Sequence, residues 1–190
     1  MMKRAVFIDR DGTLIKDIPY NSNPALIKFE DHAIEFLQQL KKKNFLLVVI
    51  SNQDGVAHGY FTEESIYKMH GTIRRMLLPQ NVQIDAFYYC PHFPGGKIKE
   101  YAVDCDCRKP KPGLIHKAAK TFNINLSQSW MIGDILHDVE AGNVAGCRTI
   151  FFNNGNETEW VLKKERIPEY EVSDLQQAAE IILKRELESV

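Results

Sequence analysis

Apolar residues in this chain come in short runs that end on polar residues able to do chemistry. Residues 5–14, A-V-F-I-D-R-D-G-T-L, read as a strand that stops at Asp9 and Asp11, with Gly12 and Thr13 able to open a turn. Residues 45–50, F-L-L-V-V-I, are unbroken and rich in branched side chains, the pattern of a strand buried on both faces of a parallel sheet. That run empties into Ser51-Asn52-Gln53-Asp54-Gly55. Residues 86–89 predict a third strand leading into Cys90, residues 130–132 a fourth ending in Gly133-Asp134, and Arg148–Phe152 a fifth.

Between these runs the spacing becomes helical. Residues 31–43 predict a helix with Ile34, Leu37 and Leu40 on one face and lysines in the last turn, where cations suit the helix dipole. Thr62 is placed to cap a helix carrying Ile66, Met69, Ile73 and Leu77. Gly113–Phe122 repeats the pattern with Leu114, Ile115, Ala118 and Phe122, and another helix ends at Ala145. The tail predicts a short helix near Trp160 and a final one opened by Ser173-x-x-Gln176, a capping box. Alternating strands and helices imply an α/β fold with a doubly wound, mostly parallel sheet, and 190 residues suit a single domain over 1–190.

Composition adds exclusions. A net charge of −1 supplies no basic field for a nucleic acid, and no apolar run approaches the roughly 20 residues that span a bilayer. The N-terminus M-M-K-R leads into a strand without a signal-peptide pattern, so a cytoplasmic protein is expected, as is a monomer.

Four polar clusters fall where parallel strands end or helices begin: Asp9 with Asp11, Ser51 with Asn52, Arg108 with Lys109, and Asp134 with Asp138. Right-handed crossovers bring such ends to one edge of the sheet. Asp9 and Asp134 offer hard oxygens of the kind that hold Mg2+ beside a phosphate. Asp9 could attack phosphorus, and Asp11 could protonate the leaving alkoxide and then deprotonate water. Ser51 and Lys109 could stabilise charge on the phosphoryl oxygens. Taken singly, each has a plainer use: Ser51 a cap, Lys109 a surface charge, Asp134 a helix cap.

Cys90-Pro91-His92 and Cys105-Asp106-Cys107 flank a long loop containing Gly95-Gly96 and together supply Cys3His, a donor set for structural Zn2+; reduced cysteines near a turn are the alternative. Zinc there would order the loop whose end delivers Arg108 and Lys109. Cys147 reads as a small buried hydrophobe, Trp130 as core, and His58, His70 and His116 as surface or satisfied histidines.

The segments D-R-D-G-T-L, S-N, K-P-K-P and G-D-x-x-x-D, in that order, resemble the four motifs of the haloacid dehalogenase superfamily of phosphatases. The resemblance implies Asp9 as nucleophile, Asp11 as general acid/base, Ser51 and Asn52 as phosphate-binding, and Lys109 as the phosphate-binding cation. It implies Mg2+ held by Asp9, the main-chain carbonyl of Asp11, and Asp134, with Asp138 in support. C-P-H followed by C-D-C-R-K-P resembles the small zinc-loop histidinol-phosphate and heptose-bisphosphate phosphatases, and S-N-Q-D-G-V-A-H-G-Y-F-T-E with the long insert is closer to the heptose-bisphosphate branch. A phosphorylated sugar is then the expected substrate, with Arg108 assigned to its second phosphate. Histidinol phosphate remains the alternative, and a nucleic-acid 3'-phosphatase or a non-enzymatic phospho-receiver ranks lower. The 15–29 loop is too short for a cap domain, so the site should be capless, covered by that loop, residues 53–61 and the zinc loop.

Overall fold

In the computed structural model, which describes residues 2–161 and 163–188, six strands form one sheet. They are β1 (Ala5–Ile8), β2 (Leu46–Asn52), β3 (Ala86–Cys90), β4 (Trp130–Gly133), β5 (Arg148–Phe152) and β6 (Tyr170–Val172). Their order is β3-β2-β1-β4-β5-β6, with every neighbouring pair parallel. Successive side chains of a strand point to opposite faces, and each face finds its own core. Val6, Ile8, Leu47, Val49 and Ile132 pack with α1 (Ala33–Lys42), α3 (Glu63–Leu77) and α6 (Leu175–Glu188). Ala5, Phe7, Val48, Ile50 and Met131 pack with α4 (Gly113–Phe122) and α5 (Leu136–Ala145). Burial on both faces is why the strands read as unbroken apolar runs.

The order reverses direction at β1, which lies between β2 and β4. Connections diverge there, opening a crevice at the carboxyl ends of these strands. Among the described residues no helix is long and apolar enough to cross a membrane.

Several sequence expectations need correction. β2 continues through Ser51 and Asn52, because these pair with Tyr89 and Cys90 of β3 in spite of their polarity. The first helix starts after His32, whose left-handed backbone (φ 61°) excludes Asp31. Thr62 holds the cap position of α3 without a side-chain bond to the helix backbone; its hydroxyl lies 3.4 Å from that of Ser65. The last helix is capped by Asp174 and not Ser173, with the Gln176 N–H donating to Asp174 Oδ1 at 2.6 Å. No helix forms at Trp160, and the nearest helical turn is a 3-10 turn at Lys164–Arg166. The short helix α2 (Gly55–His58) and β6 carry too few periodic apolar residues to announce themselves.

Trp130 and Cys147 are buried as expected. His70 is not a surface histidine: it is buried, stacks on Phe87 at 4.4 Å, and its Nε2 has no hydrogen-bond partner among the described residues.

Candidate active site

Each of the four polar clusters reaches the crevice. Asp9 follows β1, Asp134 follows β4, Asp138 lies in the first turn of α5, and Lys109 lies on the loop before α4. Lys109 is 2% exposed. Its Nζ sits 2.5 Å from Asp9 Oδ1 and 2.6 Å from Asp138 Oδ1, and donates to the Ile50 carbonyl at 3.2 Å. Burial alone would depress the lysine; Asp138 and Asp9 outweigh it and hold its pKa above the ordinary value. Asp138 also accepts from the Ile135 N–H at 3.3 Å, closing the start of α5. Gly133 permits this contact, since a Cβ there would lie 2.2 Å from Asp138.

Asp134 accepts the Thr13 hydroxyl on Oδ1 at 3.0 Å and the Asn156 amide on Oδ2 at 2.7 Å. Gly12, with φ 83°, turns the chain beside it, where a Cβ would strike Asp134 Oδ2 at 2.0 Å. Burial, then the Asp138 charge, pushes Asp134 up to about 6 against these hydrogen bonds. Burial and Asp138 likewise hold Asp9 well above the usual carboxylate range, with Lys109 opposing. Oxygens of Asp9, Asp134 and Asp138 lie within 4.8 Å of one another. Three neighbouring buried carboxylates, two of them on one ammonium, are short of positive charge, and a hard divalent cation bound by oxygen fits that deficit.

Here the arrangement differs from expectation in two ways. Asp138 joins the carboxylate group itself and contacts Lys109 directly. The Asp11 carboxylate, for its part, is held by its neighbour Arg10 and by Gln53. Arg10 grips it with Nε at 3.0 and 3.1 Å and Nη2 at 2.8 Å, and Gln53 Nε2 donates to it at 2.8 Å. The same Gln53 nitrogen lies 2.7 Å from Ser51 Oγ, so one buried amide joins Asp11 to Ser51.

The Asn52 side chain turns to the Lys109 backbone. Its Oδ1 accepts the Lys109 N–H and its Nδ2 donates to the Lys109 carbonyl, both at 3.0 Å. The amide therefore clamps the backbone of the buried lysine. Beside it lies a cavity of about 170 Å³ whose walls include Arg10, Asp11, Asp17, Tyr20 and Gln53. Arg108 pairs with Asp54 at 2.9 Å and lies 5.1 Å from the centre of the Phe93 ring. Tyr20, His58, Tyr60 and Phe93 form a chain of ring contacts that brings the three expected loops together.

The second constellation also assembles. Cys90 Sγ lies 3.0 Å from Cys107 and 3.5 Å from Cys105, Cys107 lies 3.3 Å from Cys105, and His92 Nδ1 lies 3.3 Å from Cys107. The bond shared with Cys90 pulls Cys107 down to about 5, while that same bond and burial push Cys90 up. Protons shared among crowded thiols are what a tetrahedral ion with arms of about 2.3 Å would displace, and the Cys3His chemistry fits zinc.

Arg10, Gln53 and Thr13 lie inside the motif segments, but their bonds to Asp11 and Asp134 were not legible in the sequence. Asn156 was invisible: it stands in a polar stretch 22 positions from its partner Asp134.

Similarity to known proteins agrees with this geometry. A HAD-hydrolase-like family model matches residues 106–178. A D-glycero-β-D-manno-heptose-1,7-bisphosphate 7-phosphatase of Pasteurella multocida is 46% identical over 144 residues, covering 76% of this chain and 78% of the relative. The protein of that name from Escherichia coli K12 is 37% identical over 167 residues, covering 83% and 87%. A crystal structure of D,D-heptose 1,7-bisphosphate phosphatase from B. bronchiseptica, complexed with magnesium and phosphate, superposes with TM-score 0.78 at 24% identity, over 96% of this chain and 99% of that one. This chain is a phosphoric monoester hydrolase, and it belongs to the haloacid dehalogenase superfamily of phosphatases, in the family of the heptose-1,7-bisphosphate 7-phosphatases.

Proposed function

We propose that the enzyme removes the 7-phosphate of D-glycero-D-manno-heptose 1,7-bisphosphate, taking the β anomer that its relatives are named for. The identity of 37–46% to those relatives over most of the chain carries this reading, and the assembled Asp9, Asp11, Ser51, Lys109 and Asp134 support it.

In the proposed mechanism a carboxylate oxygen of Asp9 attacks phosphorus as the bond to the sugar oxygen breaks. Asp11 gives its proton to the departing alkoxide. Asp11 then takes a proton from water, the water oxygen attacks phosphorus, and the bond to Asp9 breaks to release phosphate. Lys109 neutralises charge on Asp9 and on the transferring oxygens, and the Ser51 hydroxyl donates to one of them. Arg10 and Gln53 hold the Asp11 carboxylate by its oxygens, and Asn52 holds Lys109 in place. Asp9, Asp134 and the main chain at Asp11 would hold Mg2+, with Asp138 beside them; the ion supplies positive charge to the phosphoryl oxygens and lowers repulsion towards the incoming carboxylate. Cys90, His92, Cys105 and Cys107 would hold Zn2+, which fixes the loop ending in Arg108 and Lys109. Arg108, whose fork suits a phosphate, would exchange Asp54 for the second phosphate of the substrate.

We read the enzyme as a single-domain monomer and as cytoplasmic, where reducing conditions keep thiols available to a metal and out of disulfides. The deciding experiment compares phosphate release from the α and β heptose 1,7-bisphosphates and from histidinol phosphate. Preferred turnover of the β-heptose compound is expected. Faster turnover of histidinol phosphate overturns the substrate assignment.

A further inference from the structure

Residues 153–157 leave β5 and return to the active site, where they are pinned at three points. Asn154 Nδ2 donates to the Gly12 carbonyl at 2.6 Å, Asn156 Nδ2 donates to Asp134 Oδ2 at 2.7 Å, and Glu157 Oε2 accepts the Leu136 N–H at 2.5 Å. Asn154 Oδ1 accepts the Asn156 N–H at 3.1 Å, so the backbone that presents Asn156 is itself held. Further along, Lys163 and Arg166 both pair with Glu140 of α5, at 2.5 and 2.8 Å. The segment is thus fastened to the D-R-D-G turn on one side and to α5 on the other.

We propose that Asn156 is a positioning residue for the metal ligand Asp134, its amide fixing the carboxylate in the orientation that serves Mg2+. The inference rests on the reading of Asp134 as a Mg2+ ligand. Thr13 holds one oxygen of Asp134 and Asn156 the other, so the two donors together set the plane of the carboxylate. Each carboxylate oxygen has two acceptor directions, so one hydrogen bond leaves room for a metal. An amide also suits this place better than a lysine, because it donates without adding a charge that repels the cation. The approach is close: a Cβ on Gly12 would lie 2.0 Å from Asp134 Oδ2 and 2.6 Å from Asn156 Nδ2. Hydrogen-bonding partners of metal-ligating carboxylates typically account for about 10- to 100-fold in metal affinity.

The test titrates Mn2+, followed by its electron spin resonance, into the full chain without substrate. Wild type, Asn156→Ala, Asn156→Leu, Asn156→Gln and Asp134→Asn are compared, with thermal melting in parallel. Asn156→Ala and Asn156→Leu should weaken Mn2+ about 10- to 100-fold without shifting the metal-free melting temperature, Asn156→Gln should recover part of the loss, and raising Mg2+ should restore turnover. Wild-type Mn2+ affinity in the Ala and Leu variants, with a loss in Asp134→Asn, overturns the role of Asn156 and leaves the ligand assignment standing. Unchanged affinity in Asp134→Asn removes the ligand assignment and the proposal together. Equal losses in all three Asn156 variants, matched by lower melting temperatures, assign Asn156 to folding and likewise overturn it.

Discussion

Two clusters of ionisable groups lie at the carboxyl ends of the strands, and they are balanced in opposite ways. Asp9 and Asp138 grip the Lys109 ammonium, a cation that the fold itself supplies, and Asp134 lies beside their carboxylates. Cys90, His92, Cys105 and Cys107 gather three sulfurs and a ring nitrogen within 4.8 Å of one another, and none of the four is a fixed cation. The oxygen cluster therefore carries part of its own counter-charge, while a metal in the sulfur cluster would hold a long loop in register. They are joined by the chain itself, because Cys107, Arg108 and Lys109 are consecutive. Zinc bound by these thiols would act on catalysis through the position of one lysine.

The sharpest way to break this comparison is to remove chemistry from the oxygen cluster alone. Asp9→Asn should lower kcat by at least about 10^4-fold while the protein keeps its zinc, measured by phosphate release and elemental analysis. Full activity in this variant sinks the mechanism. Lys109→Met removes the internal cation. It should lower kcat by about 10^2- to 10^3-fold and cost about 3–5 kcal/mol in denaturant unfolding, as two buried carboxylates lose their counterion. A variant of unchanged stability would show that Lys109 does not balance the cluster.

The sulfur cluster should respond differently. Cys107→Ser should lose zinc, melt earlier and fall about 10- to 100-fold in kcat as Lys109 moves out of line. Chelating Mg2+ alone should stop turnover reversibly and leave the melting temperature and the zinc content in place. Asn52→Ala isolates the link between the two clusters, because it releases the Lys109 backbone and touches neither metal. A loss of about tenfold in kcat with zinc retained is expected. The same loss accompanied by zinc release would mean that the loop, and not the clamp, positions the lysine.

The smallest effect tests whether acid sensitivity comes from either cluster. His70 is buried against Phe87 of β3, and burial, followed by the charges of Arg10 and Arg74, depresses its pKa to about 3 from 6.5. Its folded pKa lies below the unfolded one, so the unfolded chain binds the extra proton between these values. Stability from this group is full above about pH 6.5 and declines by about 1.4 kcal/mol per pH unit as pH falls towards 3. His70→Leu should flatten that slope in urea unfolding between pH 6.5 and 5. An unchanged slope would assign the sensitivity to the carboxylates and thiols.

Much of the fold was written locally. The runs at β1, β2 and β5 and the spacing of Gly113–Phe122 needed no tertiary information, because burial on both faces or on one helical stripe imposes its own pattern. Elements with little apolar content, α2 and β6, were not legible, since neighbours hold them and their own side chains do not. The caps show the same limit: Thr62 and Ser173 are suitable residues at suitable spacing, yet Thr62 makes no bond to the helix backbone and Asp174 does the work expected of Ser173.

The sequence by itself determined which chemical groups stand at strand ends and how they are ordered, because strand, turn and motif are all short-range in the chain. Tertiary structure alone decided what those groups face. It turned the Asn52 side chain onto the Lys109 backbone, set Asp138 against Lys109, drew the Asp11 carboxylate to Gln53, and carried Asn156 across to Asp134. The physical reason is distance along the chain. A hydrogen bond between positions tens of residues apart leaves no periodicity behind, so it exists only once the sheet has brought both ends to the same edge.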